Sequence, residues 1–131
     1  DINGTVDYVN IGNFSVLHGA DRLLLSLLVL GCDGTVSGVA GVFPEPYVEV
    51  YKAYTEGNLE KAIEKQKICV KFCDVLRRGT NMSYFKEALK MRGIPAGHMR
   101  KPQLDLPEEE IAVLKEELEQ LCKEAGIELK L

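Results

Sequence analysis

The sequence predicts an α/β fold in which helices outnumber strands too heavily for the strands to form a stable sheet by themselves. Three observations lead there. Short apolar runs bounded by glycine alternate with longer periodic runs early in the chain, "FSVLHG" before "RLLLSLLVLG" and "GTVSGVAG" before "PEPYVEVYKAYTEG". The connections between them are only a few residues long, which implies parallel strands joined by right-handed crossovers. After Gly57 the pattern is helical throughout. A parallel sheet needs several strands and cover on both faces, so the count points to a missing partner.

The elements follow in order. "INGTVDYVN" reads as the end of a helix, with Ile2, Val6 and Val9 at helical spacing. A strand over Phe14 to Leu17 sits between Gly12-Asn13 and Gly19. Asp21 stands where an N-cap belongs, before a leucine-rich helix buried on most sides and ended by Gly31. "GTVSGVAG" reads as a second strand, short and buried. Pro44 and Pro46 open the next helix, since proline is tolerated in a first turn and presets the backbone angle there.

Asn58 caps a long amphipathic helix with Leu59, Ile63, Ile68, Phe72 and Val75 inward. "MSYFKEALKMRGIP" gives a shorter helix that stops at Gly93. The last helix follows Asp105 as cap or lead-in, starts at Pro107 and ends at Gly126, with Glu108, Glu109 and Glu110 favouring its N-terminus. "IPAGHMRKPQLDL" is the one long irregular connection, in which His98 faces solvent and Arg100 pairs with a carboxylate of the helical region.

Composition narrows the function classes. A length of 131 residues with 46% hydrophobic content suits one packed unit. The net charge of -4 and pI near 5.2, with basic residues scattered along helices, speak against nucleic acid as a partner, and no segment addresses a membrane. Asp1 opens the chain without methionine, basic leader or apolar signal core, so the start reads as trimmed or internal. Cys32, Cys69, Cys73 and Cys122 lack the spacing of a disulfide framework or zinc ribbon, which suggests a reducing cytoplasm and no metal. Cys69 and Cys73 lie one helical turn apart with no histidine on that helix, and buried small hydrophobes are the better reading. "GCDGTVSG" lacks the G-K-[ST] ending of a phosphate loop, and a strand-end phosphate site is discounted for want of a lysine or arginine at these loops.

The order "SVLHGADRLLLSLLVLGCDGTVSGVAGVFPEPYVEVYKAYTEGNLEKAIEKQ" followed by "FKEALKMRGIPAGHMRKPQLDLPEEEIAVLKEELEQL" resembles the C-terminal half of the dihydrodipicolinate synthase and N-acetylneuraminate lyase family. The G-x-D at Gly19, the G-x-D-G-x-[VI]-S run from Gly31 to Ser37 and the R-x-P at Arg100 carry the likeness across essentially the whole chain. "VSGVAGVFPEP" leans toward the 2-keto-3-deoxygluconate aldolase branch. The resemblance implies a (β/α)8 TIM barrel whose strands seven and eight lie in residues 1–57, with a helical C-terminal extension over residues 58–131.

It also implies a class I aldolase or lyase. In that chemistry a lysine attacks the ketone of pyruvate or a related 2-oxo acid, and the resulting imine serves as an electron sink for making or breaking the adjacent carbon–carbon bond. No cofactor is implied. The Schiff-base lysine and the proton-shuttling tyrosine of the family precede the point matching Asp1, so no catalytic residue is assigned within the chain. The remaining lysines, such as Lys52, Lys61, Lys65, Lys71 and Lys115, fall on polar helix faces.

By resemblance, Gly19 and Val36 present backbone groups at the strand ends beside the carboxylate or the C-terminal carbon atoms of a bound 2-oxo acid, Gly19 and Gly38 leave room for close approach, Ser37 offers a hydroxyl, and His18 faces the barrel mouth. Gly41 departs from relatives that carry an asparagine there. Each has a plainer reading: His18 and Ser37 as satisfied structural groups, and Gly34, Gly38 and Gly41 as room for helix packing. The implied partners are a 2-oxo acid, an N-terminal barrel half and further copies in a homo-tetramer. The chain alone is not expected to complete the reaction. The alternative is a catalytically silent half-barrel that covers its open sheet edge by self-association.

Overall fold

The computed structural model describes all residues from Asp1 to Leu131. Helix α1 (Ile2–Ile11) is capped by the Asp1 carboxylate and closed by Gly12 in the left-handed conformation. Strand β1 (Leu17–His18) follows, then α2 (Leu24–Leu30), β2 (Gly34–Thr35), α3 (Gly38–Val42), α4 (Pro44–Thr55), α5 (Leu59–Val75), α6 (Met82–Met91) and α7 (Glu108–Ala125). The two strands pair in parallel, Leu17 with Gly34 and His18 with Thr35, across the crossover helix α2. This is the βαβ unit expected of the alternation, reduced to its shortest form.

The strands differ from the sequence expectation in extent. β1 begins at Leu17, not Phe14, and β2 ends at Thr35 because Ser37 turns the chain into a helix. The Ser37 hydroxyl accepts the Ala40 N–H at 2.9 Å and so caps α3, which takes up the second half of the predicted second strand. With no third strand alongside, nothing extends the ladder beyond these residues. Asp21 is not the cap of α2: that helix starts after Leu23 with no side-chain cap, and its first amides are met in part by the Gln66 side chain of α5, which accepts from Leu25 N–H at 2.9 Å. Asp105 likewise does not cap α7. It clamps the preceding loop by accepting the Met99 N–H at 2.7 Å and pairing with the exposed His98 at 2.8 Å.

Asn58 does cap α5, accepting from Lys61 N–H. The buried face of α5 is narrower than predicted. Ala62, Cys69, Phe72 and Cys73 point inward, Ile68 and Val75 pack at the edge, and Leu59 and Ile63 are exposed. Ala62 is completely buried on α5, which packs against α4. One apolar core of 23 residues runs from Leu24 to Cys122 and centres on Phe43 and Phe72, whose rings meet at 4.5 Å. The four cysteines are free and buried, and no helix is long and apolar enough to cross a membrane.

Candidate functional site

The carboxyl ends of β1 and β2 lie side by side, and the polar contacts there lock one strand to the other. Val36 N–H donates to the His18 carbonyl at 3.1 Å, and the Thr35 hydroxyl donates to the same oxygen at 2.5 Å. Upstream, Asp33 N–H donates to the Val16 carbonyl and Val16 N–H to the Asp33 carboxylate, both at 2.8 Å. Two-residue strands have few ladder bonds, so side chains supply the rest. Asp33 is a fixed position of the G-x-D-G-x-[VI]-S run, whereas Thr35 carries no signal in the sequence beyond a β-branched hydroxyl residue after a glycine.

The candidate residues take distinct parts. A Cβ on Gly19 would lie 3.4 Å from the Val36 carbonyl, so this glycine lets the chain after β1 pass close to the chain after β2. His18 accepts the Ala20 N–H on Nδ1 at 3.0 Å, which places the proton of its neutral ring on Nε2. Val36 is 69% exposed and presents an apolar side chain to the open side of the sheet. Ser37 spends its oxygen on the α3 cap, while its O–H remains free to donate. Gly38 makes room for a helix: a Cβ there would meet the Phe85 ring of α6 at 3.2 Å, whereas Gly41 faces open space. Gly19, Val36 and Ser37 therefore share one end of the sheet, and Gly38 serves packing.

A shallow cavity opens beside Gly19, lined also by Ala20, Asp21, Arg22, Leu23, Cys73 and Arg78. This corrects the expectation that no cation stands at the strand ends. Arg22 lies in the loop between β1 and α2, and Arg78 reaches in from the segment after α5; both are held by Asp74, Arg78 Nε at 2.9 Å. Arg77 and Arg78 adopt positive φ, 53° and 54°, a conformation that costs a non-glycine residue roughly 1–2 kcal/mol. The neighbouring Arg77 contacts hold the bend: its guanidinium pairs with Glu117 at 2.9 Å and lies over the Tyr84 ring at 4.8 Å.

Other predicted groups stay apart from this end. Lys65 pairs with Glu49 and Lys71 with Glu124, in the cleft between α4, α5 and α7. Lys52, Lys61 and Lys115 are exposed on helix surfaces, and Arg100 is exposed and forms no ion pair, contrary to the expected carboxylate contact. Burial pushes the Cys69 thiol up to about 12 and Cys122 up to about 11, so both stay protonated and behave as apolar fillers.

The pattern of the dihydrodipicolinate synthetase family matches residues 3–121. The chain belongs to that family. It is 39% identical over 109 residues to the 4-hydroxy-tetrahydrodipicolinate synthase of Archaeoglobus fulgidus, a match that covers 83% of this chain and 38% of that protein. Its fold superposes on a 2-keto-3-deoxygluconate aldolase variant of Sulfolobus solfataricus with a TM-score of 0.86 at 26% identity, covering 100% of this chain and 46% of the aldolase. A prophage family member of E. coli, solved in complex with pyruvate, gives a TM-score of 0.75 at 30% identity, with 86% of this chain and 38% of that one covered. The chain thus spans less than half the length of each of these relatives. Its family neighbours are barrel aldolases, and a fold rich in helices with two short strands matches one part of such a barrel.

Proposed function

We propose that this chain is the C-terminal part of a lyase that acts on 2-oxo acids through a lysine Schiff base, contributing strands seven and eight of the barrel and its helical extension. The observation that carries the reading is the pair of parallel strands whose ends converge at Gly19, Val36 and Ser37 beside a cavity walled by Arg22 and Arg78, while the outer edge of each strand lacks a partner. Active groups of (β/α)8 barrels gather at this end of the strands. The first lysine of the chain is Lys52, beyond both strands, so the nucleophile comes from a complementary N-terminal barrel half.

In the completed site, the lysine amine attacks the ketone carbon of a substrate such as pyruvate, water leaves, and the imine draws electrons from the bond to the next carbon. This chain supports the step by placement. Gly19 leaves the backbone at the strand ends open to close approach, and Ser37 O–H and His18 Nε2–H are the available side-chain donors, whereas Val36 N–H is taken by the His18 carbonyl and the two guanidiniums are balanced by Asp74 and Asp21. The free, buried cysteines support a reducing compartment, and the complete enzyme assembles as a homo-tetramer.

Intact mass after treatment with pyruvate and borohydride tests the proposal. The chain alone is expected to stay unmodified, and its complex with an N-terminal barrel half from the Archaeoglobus relative is expected to carry one reduced pyruvate adduct, on that half. An adduct on a lysine of this chain, or a stable complex without adduct, would overturn it. The exposed Phe14, Leu17 and Val36 favour a second reading, a silent half-barrel that pairs with its own copy, and sedimentation of the isolated chain as a tight dimer that refuses the N-terminal half would support that reading instead.

A further inference from the structure

Helix α2 begins without a cap of its own. Leu23, at the cap position, has no side-chain acceptor, and the Leu25 amide, with no carbonyl inside the helix to reach, donates to Gln66 Oε1 of α5 at 2.9 Å. The other half of the same side chain is also engaged: Gln66 Nε2 donates to the Arg22 carbonyl at 3.1 Å. A primary amide carries acceptor and donors in one rigid group. One half-buried side chain therefore grips the chain on both sides of the helix start, although it lies 41 residues from Leu25 and 44 from Arg22 in sequence.

From Arg22 the hydrogen bonds run on to the strand end. Arg22 lies inside the turn that Leu23 N–H closes on the Ala20 carbonyl at 2.9 Å, and the Ala20 N–H donates to His18 Nδ1 at 3.0 Å. The His18 backbone is fixed separately, since its carbonyl accepts from Val36 N–H and from the Thr35 hydroxyl. The ring is the part that follows the turn: where the Ala20 amide is presented decides its orientation and which nitrogen holds the proton. The Arg22 guanidinium also pairs with Asp74 of α5, but that pair is exposed and worth little. Gln66 is the firmer of the two α5 contacts.

We propose that Gln66 is a positioning residue for the candidate site: through the turn from Ala20 to Leu23 it sets the His18 ring and keeps Nε2–H as its donor. A residue of the helical region thereby governs a side chain on the strand pair. What His18 donates to rests on the Schiff-base reading; how it is held does not. The chemistry of position 66 separates the two arms, because glutamate keeps the acceptor for Leu25 and loses the donor to Arg22, whereas methionine keeps the shape and loses both.

Nitrogen-15 NMR of the histidine rings, at a pH about two above the ordinary histidine value, tests the proposal together with amide hydrogen exchange. His18 of the chain is expected in the Nε2–H tautomer. In both Gln66→Glu and Gln66→Met the Nδ1–H form is expected to rise about threefold or more, as a weakened hydrogen bond to Nδ1 requires, while the ring signals of His98 stay unchanged. Exchange of the Leu25 amide is expected to quicken about tenfold or more in Gln66→Met and to stay within about threefold of the original in Gln66→Glu. The glutamate variant thus keeps the helix start and releases only the turn. A His18 ratio unmoved in both variants would overturn the proposal, and so would a shift in Gln66→Met alone, which would trace His18 to the helix start instead. In complex with an N-terminal barrel half, both variants are expected to raise the pyruvate concentration that half-saturates borohydride trapping by about threefold, with the limiting rate little changed. Trapping with an unaltered half-saturation would overturn the role at the site. A complex that traps no pyruvate counts against the Schiff-base reading alone, and the His18 tautomer then decides this proposal.

Discussion

Helix α2 and the helices from α4 onward are built to a different standard of burial from α1 and the two strands. In the helical region Phe43, Val50, Phe72, Leu76, Leu114 and Leu118 are completely buried, and charged groups are tied in surface pairs. In the strand region Ile2, Tyr8, Ile11, Phe14, Leu17 and Val36 are exposed. Apolar side chains gain stability only when something removes them from water. The helices supply that cover for one another, whereas the strands and α1 present a surface that the chain itself never covers. The contrast separates a region that buries its own apolar face from one that leaves it open, and the candidate site lies on the second.

The contrast is tested hardest in the core. Phe72→Ala removes a ring packed on Phe43 and leaves a cavity, and it is expected to cost about 3–5 kcal/mol in urea unfolding, enough to abolish the fold of a marginal chain. A cost near that of a surface change would show that the helical region is looser than its burial implies. Gly31→Ala probes the join between the regions. Gly31 closes α2 at φ 112°, and an added Cβ would stand 2.8 Å from a Val9 methyl of α1. The expected cost is about 1–3 kcal/mol, with α1 the first element to lose hydrogen-exchange protection.

Much of the helical region was legible because its signals are local. Asn58, Gly31, Gly126 and the prolines at 44 and 46 cap or start helices by their own backbone preferences, and the structure places them as the sequence suggested. The failures share a cause. Asp21, Asp105 and Arg100 were assigned partners from chain position, but a carboxylate or guanidinium responds to whatever tertiary neighbour arrives. Asp105 found Met99 and His98 across a loop, and Arg100 found none. The second strand was overextended because "GTVSGVAG" is apolar at either period, and the Ser37 cap decided for helix. At the candidate site, Gly19 and Ser37 were visible as motif residues. Arg78 was not, because it arrives from the far side of the fold through a left-handed bend.

Thiol labelling compares the two regions directly. Cys32 lies next to β2, and Cys69, Cys73 and Cys122 lie in the helical core, all free and buried. Local opening of the strand region is expected to expose Cys32 first, at a rate about tenfold or more above the other three, read by mass spectrometry after timed alkylation. Equal rates for all four would mean that the chain opens only as a whole. Leu17→Ala gives the complementary measurement. Leu17 is 56% exposed, so its loss is expected to change the stability of the isolated chain by no more than about 0.5 kcal/mol. On the proposed half-barrel reading, the same substitution is expected to weaken binding to an N-terminal barrel half.

The smallest effect is confined to the loop between α6 and α7 and follows from Asp105. The Met99 amide and then the His98 side chain hold its carboxyl below the ordinary value of 3.8. A carboxylate with a lowered folded pKa contributes its stabilisation fully above the unfolded value and loses it as pH falls through the folded one. Protection of the Met99 amide is therefore expected to hold from neutral pH down to about pH 4 and to fall away below it, once exchange rates are corrected for the intrinsic acid dependence. Asp105→Asn keeps an acceptor for Met99 N–H but cannot titrate, so its protection is expected to be lower near neutrality and flat with pH. A wild-type loop that is equally protected at about pH 6 and about pH 2 would show that backbone packing, not the carboxylate, holds this connection in place.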